Sequence, residues 1–178
     1  MTLEIRQTTP GDLNDILQVQ KAAFGNIKEA ELTQDLLNDP TAEPRLSLLA
    51  EKDGEVVGHI LFTAVHIPES DLACSILAPL AVVPKAQDQG VGGKLIGAGL
   101  DALKASGVHL VFVLGHPSYY PKFGFIPVRP LAIDAPYPIP HEHWDAWMFQ
   151  ALNQAPLSSV ASTLVVSDAL SRPQHWQE

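Results

Sequence analysis

Along this chain the apolar positions switch between a repeat of two and a repeat of roughly 3.6, and each switch marks an element. Residues 3–7 read as a short first strand. Thr8 or Thr9 can cap a helix that begins near Pro10, where Leu13, Ile16, Leu17 and the run from Val19 to Ala23 give one buried stripe. A second helix is predicted over 28–37 and is stopped by Asn38-Asp39-Pro40, with Phe24-Gly25-Asn26 as the intervening loop. Residues 46–51 and 55–65 flank Lys52-Asp53-Gly54, and Asp-Gly is hairpin-turn chemistry. A polar connection over 67–70 leads to a long strand over 74–83 that carries Pro79. Proline cannot donate to a ladder, so a central strand tolerates it at a bulge or where pairing has opened.

A helix over 91–105 presents Leu95, Ile96, Leu100 and Leu103 to the core, and Gly107 ends it. Gly97 and Gly99 inside it each cost about 1 kcal/mol relative to alanine, which reads as close packing against a sheet. Residues 108–114 are continuously apolar, as in a strand covered on both faces. Strand, helix and strand here predict a parallel crossover. After Gly115 the texture changes to HPSYYPKFGF and then to a proline-rich tract through Pro140, read as a wrapping loop. Residues 147–152 and 162–166 read as two last strands. No repeat or linker appears, so the expectation is a single domain over 1–178, with 129–178 the portion least defined by pattern.

The segment 76–94, ILAPLAVVPKAQDQGVGGK, joins a buried strand to a helix through a glycine-rich turn. The first amides of a helix lack internal partners and carry partial positive charge, and glycine lets an anion approach them. A phosphate-bearing ligand is expected there. Two familiar phosphate motifs fail. Around Gly93-Lys94, a P-loop would need Gly and Ser or Thr where Asp88 and Leu95 stand. A dinucleotide fingerprint would need Gly in place of Leu95. What remains is Gln87-x-x-Gly90-x-Gly92.

Composition narrows the class. A length of 178 residues, 46% hydrophobic and 17% charged, suits one globular domain with its own core. No apolar run approaches bilayer length, and MTLEIRQTTP lacks the signal-peptide pattern, so the expectation is a cytoplasmic protein with no membrane partner. One cysteine, Cys74, leaves no intrachain disulfide, and its apolar surroundings read as buried and inert. A formal net charge of −9 without a basic cluster argues against nucleic acid and is compatible with a cationic substrate such as an amine.

These motifs, taken in order, resemble a family. Gln87-x-x-Gly90-x-Gly92 between strand and helix, followed by Tyr120-Pro-Lys-Phe-Gly124-Phe125 after the next strand, is similar to the acetyl-CoA-dependent N-acetyltransferases of the GNAT superfamily, and within it to a YhbS-like bacterial subgroup. The resemblance covers most of the chain up to about Val128. It implies an α/β fold with a mixed sheet, splayed between the fourth and fifth strands and flanked by helices. It implies that Gln87, Asp88, Gln89, Gly90, Val91, Gly92, Gly93 and Lys94 hold the diphosphate of coenzyme A, with Lys85 or Lys94 assisting. The strand backbone at Leu80, Ala81, Val82 and Val83 would pair with the pantetheine arm and polarise the thioester carbonyl. On this reading Pro79 stands beside the opened ladder.

The implied reaction is direct attack of a primary amine, on a small molecule or peptide, upon the thioester of acetyl-CoA, with no metal. Tyr120 takes the place of the family's acid for the leaving thiolate, and a phenol of pKa about 10 holds its proton at neutral pH. Its alternative role is packing with Tyr119, Phe123 and Phe125. The base is open. No carboxylate lies on the fourth strand; His116 follows the fifth strand where the subgroup commonly has an acidic residue, and it is either the base or a loop histidine. Glu69 and Asp71 could act through water, or the amine could arrive deprotonated. Residues 24–28, 66–72 and the proline-rich segment are the expected acceptor loops. Trp144, Trp147 and Trp176 read as core or covered-loop residues, with an acceptor pocket or a homodimer contact as the alternatives. His141-Glu142-His143 lacks the helical spacing of a zinc site. The competing class is a non-catalytic acyl-CoA-binding or regulatory module.

Overall fold

The computed structural model describes residues 2–129, 131–154 and 161–177. A seven-stranded mixed sheet forms its centre, in the order β1 (Leu3–Gln7), β2 (Leu46–Lys52), β3 (Glu55–Val65), β4 (Cys74–Val82), β5 (Leu110–Leu114), β8 (Trp147–Ala151) and β6 (Ile126–Pro127). Only β4 and β5 run parallel; the other neighbours are antiparallel. Helices α1 (Leu13–Phe24) and α2 (Lys28–Leu37) cover one face and α3 (Val91–Ala105) the other. The expected α/β architecture is the one observed.

Strand alternation divides the core in two. Leu110 and Phe112 of β5 pack with Leu61, Ile76, Trp147 and Trp176 on the α2 side, while Val111 and Val113 pack with Phe62, Leu95 and Ile96 on the α3 side. The uninterrupted LVFVL run is apolar because both of its faces are covered. Gly99 of α3 meets Phe62 so closely that a β-carbon there would overlap the ring. Gly97 is different: nothing lies within 4 Å of a β-carbon built on it, so the close packing expected of both glycines belongs to Gly99 alone.

Pro79 sits where the sheet opens. The β4–β5 rungs run from Cys74 opposite Leu110 to Leu77 opposite Val113 and stop there. On the other side, the β3–β4 register shifts between Ile60 opposite Leu80 and Phe62 opposite Leu77, so Ala78 and Pro79 together face Leu61. A proline without a ladder donor is tolerated at this bulge.

The C-terminal part departs most from expectation. Of the strand expected over 162–166, Ser162–Thr163 (β9) pairs in parallel with an unforeseen β7 (Ile133–Asp134) outside the main sheet, and Val165 forms a single antiparallel bridge with His66. The segment that follows returns to the helices: the Asp39 carboxylate accepts from the Ala169 amide at 2.9 Å, and Arg172 pairs with Asp35 at 3.6 Å. Trp147 and Trp176 are buried as core residues with ring centroids 5.6 Å apart. Trp144 is partly exposed and carries the Arg129 guanidinium 3.6 Å above its ring.

Candidate active site

Beyond Leu77 the strands β4 and β5 diverge into a groove of about 1380 Å³. One end is the glycine-rich turn. Gln87 donates through Nε2 to the Val82 carbonyl at 2.9 Å, folding the turn back on the end of β4. Asp88 and Gly90 take positive φ values of 62° and 82°, and the Lys94 amide makes the first helical bond, to the Gly90 carbonyl at 3.1 Å. The amides of Val91, Gly92 and Gly93 precede that bond and have no backbone acceptor among the described residues. Three donors at a helix N-terminus bordering a cavity suit an anion.

Gln87, Asp88, Gly90, Val91, Gly92, Gly93 and Lys94 all line the groove. Gln89 does not; it is held by Lys52 and by the Lys85 carbonyl. Lys85 also lies outside, paired with Glu55, so of the two lysines only Lys94 borders the cavity. Peptide alternation sorts the β4 residues. Leu80 and Val82 line the groove, whereas Ala81 is buried with its carbonyl against Gly58 and Val83 donates to the Val57 carbonyl at 2.9 Å.

Tyr120 and His116 both border the same groove. Tyr120 is buried, its ring laid on Gly115 and edge-to-face with Tyr119 and Phe125 at 5.1 and 5.7 Å. Burial, with Tyr119 adjoining, raises its hydroxyl above the usual phenol range. His116 is exposed, and its carbonyl accepts from the Tyr119 and Tyr120 amides at 3.1 and 3.3 Å, starting the turn that carries both tyrosines. Cys74 is buried and its thiol is pushed up to about 11 by burial.

The other end of the groove holds residues the sequence did not single out, together with Trp176, for which an acceptor pocket is one of the alternatives. Glu29, Glu31, Leu32 and Asp35 line it from α2, and Leu170, Arg172, His175 and Trp176 line it from the C-terminal segment. Phe24 and Lys28 also contribute, as expected of that loop; no residue of 66–72 does, which removes Glu69 and Asp71 from its walls. One Glu29 carboxylate oxygen is shielded from water and has no hydrogen-bond partner among the described residues. Burial and Arg172 lower the His175 pKa, against the opposing pull of Asp35 and of the Ala169 backbone.

An open parallel pair, donor amides and a tyrosine turn on one groove are the GNAT arrangement, and residues 4–128 match the sequence profile described as Acetyltransferase (GNAT) domain. The chain belongs to the GNAT acetyltransferase family. It is 49% identical over 154 residues to the N-acetyltransferase YjhQ of Escherichia coli K12, covering 85% of each chain. It is 37% identical over 122 residues to the N-acetyltransferase YhbS of the same strain, covering 68% of this chain and 72% of that one. Among solved structures, YhbS of Escherichia coli in complex with CoA superposes with a TM-score of 0.85 at 30% identity, over 96% of this chain and 92% of that one. A GNAT acetyltransferase of Brucella melitensis in complex with acetyl-CoA gives 0.75 at 31% identity, over 95% and 98%. No helix among the described residues is long and apolar enough to cross a membrane.

Proposed function

We propose that the chain is an N-acetyltransferase that uses acetyl-CoA to acetylate a primary amine by direct attack. The observation that carries this reading is the meeting, in one groove, of the free α3 amides with the β4 backbone released after Leu77. A diphosphate fits the first and an extended amide arm fits the second. Gln87, Asp88, Gly90 to Gly93 and Lys94 would hold the diphosphate, and Leu80 and Val82 would face the arm.

Acetyl-CoA supplies the activated thioester. The protein's part is to orient it, to donate to the carbonyl oxygen from the β4 backbone, and to protonate the departing sulfur. Tyr120 is the proton donor, since its raised pKa keeps the hydroxyl intact at neutral pH. The acceptor enters from the α2 end, where Glu29, Glu31 and Asp35 outnumber Lys28 and Arg172 and favour an ammonium. His116 lines the same groove and is the base candidate.

Thiol release from acetyl-CoA against a panel of small amines and peptides tests the proposal, alongside a thermal-shift titration. Ligand at 100 times its dissociation constant should stabilise the protein by about 2.7 kcal/mol. Stabilisation without thiol release across the panel would leave an acyl-CoA-binding module; absence of both would overturn the reading of the groove.

A further inference from the structure

Tyr119 faces the anion turn, whereas Tyr120 faces Gly115. A β-carbon at Gly92 would stand 2.5 Å from the Tyr119 hydroxyl oxygen and 3.7 Å from Cζ behind it. The phenol therefore ends against the first turn of α3, at Gly92. Phe123 does the same at the next position: a β-carbon at Gly93 would lie 2.7 Å from its ring, and the two rings pack edge-to-face at 5.0 Å. The turn that carries the tyrosines is thus seated on the helix N-terminus by two aromatic-to-glycine contacts.

The two contacts differ in chemistry. Phe123 brings only carbon, but Tyr119, which borders the groove, brings a hydroxyl that donates to no protein acceptor among the described residues. Burial raises its pKa, so at neutral pH it is a donor. Lys122 lies 5.9 Å from the Tyr119 ring centroid, and Lys122 and Lys94 both border the groove. The turn already presents three backbone donors without acceptors; the phenol adds a fourth from the side. Donors that share a cavity wall and lack acceptors select an anion.

We propose that Tyr119 is a side-chain ligand of the diphosphate, donating its hydroxyl to the anion held on the α3 amides, and that position 92 is glycine because that hydroxyl needs the space a β-carbon would fill. The inference rests on the reading of this turn as the diphosphate site. It gives the two adjacent tyrosines separate tasks: Tyr119 grips the carrier and Tyr120 serves the sulfur.

The test compares dissociation constants for CoA and for pantetheine, which lacks the diphosphate, in the wild-type protein and in Tyr119→Phe. Tyr119→Phe should weaken CoA about tenfold and leave pantetheine unchanged, because only CoA offers the lost acceptor. Equal weakening of both ligands would make Tyr119 a packing residue, and no weakening would make its hydroxyl idle; either overturns the proposal. A wild-type protein that binds pantetheine as tightly as CoA would remove the diphosphate site itself, and this inference with it. Should Tyr119→Phe melt early, Gly92→Ala is the second variant. It keeps the hydroxyl but pushes it aside, and must produce the same CoA-selective loss.

Discussion

Gly115 supports the ring of Tyr120 so closely that a β-carbon at 115 would overlap Cε2. The glycine at the end of β5 therefore decides where the proposed acid points. Gly115→Ala should displace the ring, and Tyr120→Phe should remove its proton, so both should lower turnover, the latter by about 100-fold. CoA affinity should stay within about twofold in Tyr120→Phe, because that change touches neither the α3 amides nor the Tyr119 hydroxyl. Steady-state thiol release with any accepted amine, set beside CoA titrations, reads the two effects apart. Undiminished turnover in Tyr120→Phe would remove it as the acid.

Gly97 and Gly99 lie two residues apart on α3 and should respond with opposite signs. Alanine at 97 meets open space and gains helix propensity, so the protein should be stabilised by about 0.5–1 kcal/mol. Alanine at 99 would strike Phe62 and should destabilise by about 1–3 kcal/mol. Denaturant midpoints of the two variants check this; equal shifts would contradict the packing described.

His59 gives the protein an acid-sensitive core. It is fully buried on β3, with Gln20 of α1 at 2.9 Å from Nδ1 and Ser47 of β2 at 2.8 Å from Nε2. Burial lowers its pKa to about 3 from an ordinary value of 6.5. Below pH 6.5 the unfolded chain takes up a proton that the folded one refuses, so stability falls as pH drops toward 3. Linkage puts the loss between pH 6.5 and 4.5 at about 2 kcal/mol from this residue. Chemical denaturation at several pH values should show a flatter profile for His59→Gln than for the wild type; parallel profiles would refute the assignment.

Glu29 tests the acceptor end. Glu29→Gln keeps the shape of the side chain and removes its charge from the groove wall. KM for a cationic acceptor should rise about tenfold, with KM for acetyl-CoA unchanged. A neutral acceptor, if one is accepted, should be indifferent to the change. Initial-rate kinetics with both substrates varied make the distinction, and an effect on acetyl-CoA alone would place Glu29 at the wrong end.

Local signals carried the fold and the carrier end of the site. LVFVL, Asp53-Gly54, Gly107 and the Gln87-to-Gly92 turn announce themselves within a few residues, because period, turn chemistry and helix ends are short-range properties. Pro79 pointed to the opened pairing for the same reason. The proposed acceptor end depends on contacts across the whole chain: Asp39 meets Ala169 across 130 positions and Arg172 meets Asp35. Nothing near Glu29, His175 or Trp176 marks them as neighbours of one groove. The buried Ser47–His59–Gln20 chain was equally invisible, since each member alone resembles an ordinary polar residue in a strand or helix. A sequence motif does not say which way each peptide turns, so it does not separate Ala81 and Val83 from Leu80 and Val82.

The interruption in the sheet at Ala78–Pro79 has a protective side. An unpaired strand at the margin of a sheet is a template on which other chains can add, and proteins blunt such margins with charge or cover. Here β4 beyond Leu77 stays paired with β3 and is open only on the side of β5, in the middle of the sheet, where the two strands part after the Leu77–Val113 rung. Another sheet cannot reach it; a slender, unbranched thread can. The fold thus keeps an adhesive backbone available to one shape of guest while hiding it from the surfaces that would make the protein aggregate.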